Sequence, residues 1–330
     1  MNRPAGVVER ITVTSQLLHA NLVGASPART VDVYLPPGGA AGCPLLVDLV
    51  GFTGGGLSHT RWKAFGENVP ARLDRLIASG AMPPVAVAFP DCFVRLGGNQ
   101  YIDSVAMGPW ERFLCDELVP AVEARYGCGG AGRRGVFGKS SGGYGALVHA
   151  MRRADVWAAA ACHSGDVAFE WCYLPDLPPA LRVLEPLGGS VAALLAAIEA
   201  TDKPGEERLE ALMMCAMAAS YDPDPTAPFG VRLPVDPQTC ELDPERWQRW
   251  LAWDPLRMVD ACAANLRTLR GLYIDCGRRD QYNLVYGARQ LHRALDLLAV
   301  PHRYDEFDDD HTAIDYRMDD SLPFLARALA

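Results

Sequence analysis

The feature that most constrains this chain is the alternation of short apolar runs with longer segments of helical periodicity. Two runs, Pro44–Val50 and Val85–Phe89, are almost wholly apolar, as strands covered on both faces are. The predicted strands are Val8–Leu18, Thr30–Leu35, Pro44–Val50, Val85–Phe89, Gly135–Phe137, Ala158–Cys162, Gly271–Cys276 and Arg303–Phe307. The predicted helices are Ala64–Ala78, Trp110–Arg125, Gly142–Arg153, Val285–Leu298 and Leu322–Leu329. This order predicts an α/β fold with an eight-stranded, mostly parallel sheet, antiparallel at its start and covered by helices on both faces.

The alternation is interrupted once, between residues 166 and 265, where no strand is predicted. Trp247, Trp250 and Trp253 recur there every three residues, which is typical of a helix face packed on a core. A long helical insertion in an α/β sheet is typical of a cap over the edge that carries the site. We therefore expect a core of residues 1–165 and 266–330 with a helical cap of residues 166–265.

The charge balance excludes some partners. The chain has 31 Lys and Arg against 40 Asp and Glu, a net charge of −9, which argues against general binding to nucleic acids or anionic membranes. No apolar run reaches the about 18 residues of a membrane span, and the N-terminal segment has no apolar stretch typical of a secretory signal. The ten cysteines form no Cys-x-x-Cys pair and are expected to be reduced. We expect a cytoplasmic protein with a small-molecule partner, and a homo-oligomer stays open.

The strongest motif is Gly138-Lys139-Ser140-Ser141-Gly142, which matches Gly-x-Ser-x-Gly. A predicted strand precedes it directly and a predicted helix follows it directly. The flanking glycines suit a strained turn with no room for side chains. The carboxyl ends of strands are where ligands bind in open α/β sheets, and this turn lies at such an end. The context predicts Ser140 as a nucleophile.

The same motif has two other interpretations. A phosphate-binding P-loop requires a glycine five positions before Gly138, but that position is Arg133, and Gly132 is one residue too far. An ordinary helix start, with Ser140 or Ser141 as the capping residue, stays open at the level of sequence.

The general base is predicted from the order of the elements. In a strand–helix frame of this kind, the histidine follows the last strand, and of seven histidines only His311 does so. His59 and His163 follow strand ends but precede any suitable acid loop, and His302 precedes the last strand. A solvent-exposed loop histidine is the alternative for His311.

The acid is expected in the loop after the penultimate strand, where Asp280 lies. Asp275 is the second candidate, but it lies inside the strand, where a hydrogen-bonded structural carboxylate is more typical. The run Asp308–Asp310 is expected to be a solvated loop, because no ligand cluster with metal-binding spacing accompanies it. No metal or organic cofactor is predicted.

The oxyanion hole is predicted to combine two backbone N–H groups, those of Ser141 and Phe52. Phe52 lies in the glycine-rich loop after Pro44–Val50, which could also be a plain flexible turn. The residues expected to contact substrate are Gly51, Thr53, Tyr101, Trp171 and Tyr282. For the three aromatic residues the alternative is an ordinary place in the apolar core or at the rim of the site.

The chain resembles the putative-esterase family of α/β-hydrolases, which includes S-formylglutathione hydrolase (esterase D), feruloyl esterases, enterochelin esterases and mycolyltransferases. The residues that carry the resemblance are Val31–Pro37, Gly51-Phe52, Gly98–Tyr101, Asp116–Pro120, Gly138–Gly143, His163–Gly165, Asp280 and His311. The resemblance implies the α/β-hydrolase fold and carries the nucleophile, acid and base onto Ser140, Asp280 and His311. It carries the oxyanion donors onto Phe52 and Ser141. Val50-Gly51 departs from the His-Gly or Ser-Gly of many relatives, and the insertion is longer than in compact relatives, so acyl specificity is not carried over.

These observations together predict a serine hydrolase that cleaves carboxylic esters or thioesters through an acyl-enzyme on Ser140. Acyl transfer or peptide hydrolysis by the same residues is one alternative. A non-catalytic binding module with a hydrolase fold is the other.

Overall fold

The computed structural model of the protein describes residues 5–330. The first four residues, which belong to the segment assessed for a secretory signal and to the predicted core, lie outside the described residues. The strands are β1 (Val7–Thr14), β2 (Ala28–Leu35), β3 (Leu45–Leu49), β4 (Ala86–Pro90), β5 (Asp103–Ser104), β6 (Gly108–Pro109), β7 (Arg134–Lys139), β8 (Ala159–His163), β9 (Gly271–Gly277) and β10 (Arg303–Phe307).

Eight of these strands form one sheet in the spatial order β1-β2-β4-β3-β7-β8-β9-β10, and β5 pairs only with β6. The contacts β1–β2 and β2–β4 are antiparallel, and all other neighbours in the large sheet are parallel. The prediction of an eight-stranded, mostly parallel sheet with an antiparallel start is confirmed.

The α-helices of the described residues cover both faces of this sheet. They are α1 (Leu57–Thr60), α2 (Val69–Ala78), α3 (Trp110–Arg112), α4 (Val119–Tyr126), α5 (Ser141–Arg152), α6 (Phe169–Cys172), α7 (Leu177–Leu184), α8 (Val191–Glu199), α9 (Glu206–Tyr221), α10 (Pro244–Leu251), α11 (Pro255–Leu266), α12 (Leu284–Leu297) and α13 (Met318–Leu329). Within residues 5–330 no single helix is both long and apolar enough to cross a bilayer. Only the bent pair Phe169–Leu187 and Val191–Glu199, with an angle of 84°, has the length and composition when taken together.

Several helices differ from the prediction, among them α13, which begins at Met318 and not at Leu322, and two of the differences have a local reason. The helix expected from Ala64 begins at Val69, because the side chain of Asn68 caps it by accepting a hydrogen bond from the backbone N–H of Ala71 at 2.9 Å. The segment expected to be one helix from Trp110 contains a π-helical turn between α3 and α4. Pro120 lies at the start of α4 and has no N–H with which to continue a regular helical ladder.

Alternate side chains of the central strands pack into two apolar clusters. On β3, Val47 belongs to the larger cluster, whereas Leu46 belongs to the smaller one beneath α2 and α13. The larger cluster also contains Met214 and Trp250 from the helical insertion. The insertion and the sheet therefore share one continuous apolar core.

The segment between β8 and β9 is helical, as predicted. Trp247 and Trp250 of α10 are buried, as their spacing indicated, at 5% and 0% exposure, whereas Trp253 follows the helix and is partly buried. Its last helix, α11, packs against α5 and α12 beside the sheet, whereas α9 contributes Leu209, Glu210 and Met213 to a cavity at the sheet edge. The division of the chain into a core and a cap stays a prediction.

Candidate active site

Ser140 lies in a sharp turn between β7 and α5, with φ 58° and ψ −126°, a strained conformation for a residue with a side chain. A Cβ on Gly138 would lie 2.3 Å from the carbonyl oxygen of Leu49, and one on Gly142 only 1.8 Å from it. The close approach of β3 therefore requires glycine at both positions. The Ser140 side chain makes no helix-capping hydrogen bond, so the capping interpretation is not supported for this residue.

Asp280 and His311 come together from the loops that follow β9 and β10. Nδ1 of His311 lies 2.7 Å from Oδ2 of Asp280, and both side chains are buried. The other carboxylate oxygen accepts the N–H of Tyr282 at 3.0 Å, and the N–H of His311 donates to the side chain of Gln281 at 3.0 Å. The carboxylate thus holds Nδ1 and fixes the ring, which leaves Nε2 as the nitrogen available for chemistry.

A cavity of about 540 Å³ at the carboxyl edge of the sheet contains Ser140 and His311 in its lining. In the described part of the chain the Ser140 hydroxyl makes no hydrogen bond. A hydrogen bond between a nucleophile and its base is often long in unliganded enzymes and tightens when substrate binds. A larger cavity of about 1030 Å³, lined by residues such as Leu181 and Arg232, includes none of the site residues predicted from the sequence.

The loop after β3 passes close to Ser140. A Cβ on Gly51 would lie 3.3 Å from Cβ of Ser140 and 3.9 Å from its Oγ. Across residues 5–330 neither Phe52 N–H nor Ser141 N–H donates a hydrogen bond, and Ser141 is the first residue of α5. The loop itself is held by the N–H of Thr53, which donates to the carbonyl of Gly97 at 2.7 Å. An ordered loop thus passes beside Ser140, and among the described residues the N–H groups of Phe52 in this loop and of Ser141 in α5 have no acceptor.

Comparison with known families adds an independent observation to this geometry. The sequence profile of the family described as "Putative esterase" matches residues 26–319. The chain belongs to this esterase family. No curated protein sequence matches the chain significantly.

Three solved structures show how the fold of this family member compares with known enzymes. A ferulic acid esterase has 19% identity and a TM-score of 0.61, with 98% of this chain and 99% of that chain covered. An S-formylglutathione hydrolase from Agrobacterium tumefaciens has 16% identity and a TM-score of 0.59, with 100% of this chain and 98% of that chain covered. A fluorophosphonate-binding serine hydrolase from Staphylococcus aureus has 14% identity and a TM-score of 0.56, with 98% of this chain and 99% of that chain covered. The fold is that of an α/β-hydrolase, and the family assignment supports a hydrolase that acts on esters.

Of the residues predicted to contact substrate, Gly51, Thr53 and Tyr282 line the cavity of this esterase-family protein, but Tyr101 and Trp171 do not. Tyr101 is only 2% exposed, and its hydroxyl donates to the carbonyl of Val50 at 2.5 Å, so it supports the loop after β3 from below. Trp171 is 53% exposed and lies outside the lining. The structure therefore does not bring these two residues to the cavity, and contact of any residue with substrate stays a prediction.

The cavity also contains charged residues that the sequence analysis did not assign, namely His59, Arg61, Lys139, Asp166, Glu206, Glu210 and Asp315. Asp166 is buried and accepts a hydrogen bond from the hydroxyl of Tyr173 at 2.8 Å, and burial raises the pKa of its carboxyl. Of these residues, only Lys139 could have been noted from the sequence, because it lies inside the Gly-x-Ser-x-Gly motif.

A second set of serine, histidine and aspartate lies nearby but is closed to substrate. Nδ1 of His163 lies 2.7 Å from Oδ1 of Asp275, and Nε2 lies 2.8 Å from the hydroxyl of Ser321. All three are at most 2% exposed, and none lines the cavity. Asp275 also accepts a hydrogen bond from Arg317 at 2.9 Å, as expected for a structural carboxylate inside a strand.

Proposed function

We propose that the protein is a serine esterase that cleaves carboxylic esters or thioesters through an acyl-enzyme formed on Ser140. The observation that carries this proposal is the 2.7 Å contact between Asp280 and His311 at the cavity that also contains the strained turn of Ser140. The chain's membership of an esterase family supports the same reaction class.

In the first half of the reaction, Nε2 of His311 removes the proton from the Ser140 hydroxyl as Oγ attacks the acyl carbonyl carbon. The negative charge that develops on the carbonyl oxygen accepts hydrogen bonds from the N–H groups of Phe52 and Ser141. His311 then gives its proton to the departing alcohol or thiol. Asp280 keeps the ring in the tautomer that presents Nε2 and stabilises the imidazolium.

In the second half, a water molecule replaces the alcohol. His311 removes a proton from the water, which attacks the acyl-enzyme through a second tetrahedral intermediate. Collapse of that intermediate releases the carboxylic acid and returns the proton to Ser140. Every proton in this scheme is moved by His311, so the proposal requires no metal or organic cofactor.

Fluorophosphonate labelling together with hydrolysis of p-nitrophenyl acetate tests the proposal. The wild-type protein is expected to be labelled and active, and Ser140→Ala to be neither, with its fold retained. Ser321→Ala is the matched control, because that serine also lies next to a histidine–aspartate pair but is buried. Unlabelled wild type, or unchanged turnover in Ser140→Ala, would falsify the assignment. Product analysis with an added alcohol distinguishes hydrolysis from acyl transfer.

A further inference from the structure

An ammonium group without an ion-pair partner lies beside the proposed nucleophile. Lys139 directly precedes Ser140 and lines the same cavity. In the part of the chain that the structure describes, no carboxylate oxygen lies within 4.0 Å of its Nζ. Burial lowers the pKa of Lys139, which shows that the surroundings disfavour the charged form in the absence of a ligand.

The carboxylates that act most strongly on Lys139 are those of Asp315, Asp280 and Asp310, and each has another partner. Asp315 pairs with Lys63, and Asp280 holds His311. Asp310 accepts the N–H of Thr312 at 2.6 Å. Since these anions are already engaged, the ammonium of Lys139 is the free charge at this end of the cavity.

His59 presents a second cationic group to the same cavity. Its Nδ1 lies 2.5 Å from Oδ2 of Asp48, a fully buried carboxylate on β3. Burial opposes the charged imidazole, but the attraction of Asp48 outweighs it and raises the pKa of His59. Nε2 makes no hydrogen bond within residues 5–330. A protonated His59 would therefore have an N–H donor without a partner on a ring that belongs to the cavity lining.

Arg61 adds a third cationic group to this part of the cavity, where Asp315, a carboxylate of the lining, pairs with Lys63. Arg61 lines the cavity, is exposed and forms no ion pair with any described residue. Glu206 and Glu210 of α9 also line the cavity, but their charges act on Tyr282 and are not among the leading charges that act on Lys139. Lys139, His59 and Arg61 are thus the cationic groups of the lining, whereas Glu206 and Glu210 lie on α9 and Asp166 follows β8.

We propose that Lys139, His59 and Arg61 form a subsite that binds a carboxylate of the ester substrate. This inference rests on the proposed esterase function and names its substrate class, namely esters whose acyl or leaving group carries an anionic carboxylate. An ammonium, an imidazolium and a guanidinium can each donate a charge-assisted hydrogen bond to a carboxylate. A neutral ester has no carboxylate to accept such bonds.

Matched pairs of anionic and neutral esters test the subsite. On the leaving-group side, 4-acetoxybenzoate is compared with its methyl ester. On the acyl side, the p-nitrophenyl monoester of adipic acid is compared with its methyl ester. For one of the two pairs we expect wild-type kcat/KM to favour the anionic member by at least roughly tenfold, the effect of one charge-assisted hydrogen bond. The pair that shows this preference tells which side of the ester faces Lys139.

Lys139→Met is expected to lower that selectivity ratio by roughly tenfold to a hundredfold, and Lys139→Arg to retain part of it. Lys203→Met is the matched control, because Lys203 is exposed and does not line the cavity. Removing a partly buried, unpaired charge should not lower the melting temperature, so unfolding would not account for the loss of selectivity.

The two proposals fail in different ways. If neutral esters are hydrolysed and the ratio is the same in wild type, Lys139→Met and Lys203→Met, the subsite is overturned and the esterase function stands. Calorimetry with the adipate monoester on Ser140→Ala and on Ser140→Ala/Lys139→Met measures binding without turnover. Equal affinities of these two proteins would also overturn the subsite, and weaker binding by the double variant would support it. If no ester is hydrolysed by wild type, the esterase function fails, and this binding comparison still decides the subsite.

Discussion

The backbone N–H of Ser140 donates a 2.9 Å hydrogen bond to the carbonyl of His163. The ring of His163 is itself held at both nitrogens, by Asp275 and by Ser321. The buried network therefore holds the end of β8 against the turn that carries the proposed nucleophile. Ser140 and the His311–Asp280 pair lie at the cavity, whereas the buried set holds the turn that carries Ser140.

Removing the buried serine is expected to affect stability and not turnover. Ser321→Ala leaves Nε2 of His163 without its partner in a fully buried environment, which costs about 1–3 kcal/mol. Urea denaturation measures this loss, and hydrolysis of p-nitrophenyl acetate should stay unchanged. Ser140→Ala should behave in the opposite way, with activity abolished at unchanged stability. A folded Ser321→Ala protein without activity would show that the buried set takes part in catalysis.

Asp280→Asn is expected to reduce kcat by about four orders of magnitude while the fold is retained, because an amide no longer holds the histidine in the productive tautomer. The contact at stake is the 2.7 Å interaction with Nδ1 of His311. Steady-state kinetics on p-nitrophenyl acetate provide the measurement. Asp308→Asn is the control, since Asp308 is exposed in the loop after β10 and should keep full activity. A loss of less than tenfold in Asp280→Asn would remove this carboxylate from the proposed mechanism.

Gly51→Ala is expected to slow turnover, because the new methyl group would lie 3.3 Å from Cβ of Ser140 and 3.4 Å from the carbonyl oxygen of Lys139. The loop must then shift, and with it the N–H of Phe52, and loss of one oxyanion donor reduces kcat roughly a hundredfold or more. Gly205→Ala is the control, because nothing lies within 4 Å of a Cβ there and its φ is −67°. Full activity of a folded Gly51→Ala protein would exclude this loop from the oxyanion hole.

The succession of the eight strands along the chain could be predicted, and Ser140, Asp280 and His311 could be singled out, because each depends on local signals. The turn with glycines and Ser140 between a strand and a helix can be recognised in the sequence, and so can the loops after the last two strands. The structure places Ser140 and His311 at one cavity and joins His311 to Asp280. The roles of these residues in catalysis stay proposals for the experiments above.

The lining of the cavity could not be predicted in the same way, because it depends on which way side chains point after packing. Tyr101 follows a loop that passes near the site, yet its hydroxyl bonds to the carbonyl of Val50 below that site. His59 comes to the cavity only because the short helix α1 returns its ring to Asp48 on β3. Lys139 occupies a variable position of the motif, and nothing in the motif indicates that its ammonium lacks an ion pair.

The last prediction concerns the pH dependence of stability and depends on Asp176, at the start of α7. Burial, with a smaller contribution from the charge of Glu210, raises the pKa of Asp176 from 3.8 to about 6. The folded state therefore binds this proton more tightly than the unfolded chain does. The protonated Asp176 therefore contributes to the free energy of unfolding at low pH. This contribution falls as the pH rises from about 4 to about 6 and is absent above that range.

Asp176→Asn removes the ionisation and should therefore raise the melting temperature at about pH 7.5 but not at about pH 3.5, where the native carboxyl is already protonated. Differential scanning calorimetry of both proteins at the two pH values measures the difference. Asp202→Asn, at an exposed position in the loop before α9, should change neither melting temperature. The increase in melting temperature must appear only at the pH where the native carboxyl is ionised. An equal increase at both pH values, or a lower melting temperature of Asp176→Asn at the higher pH, would show that burial of Asp176 does not disfavour its charged form.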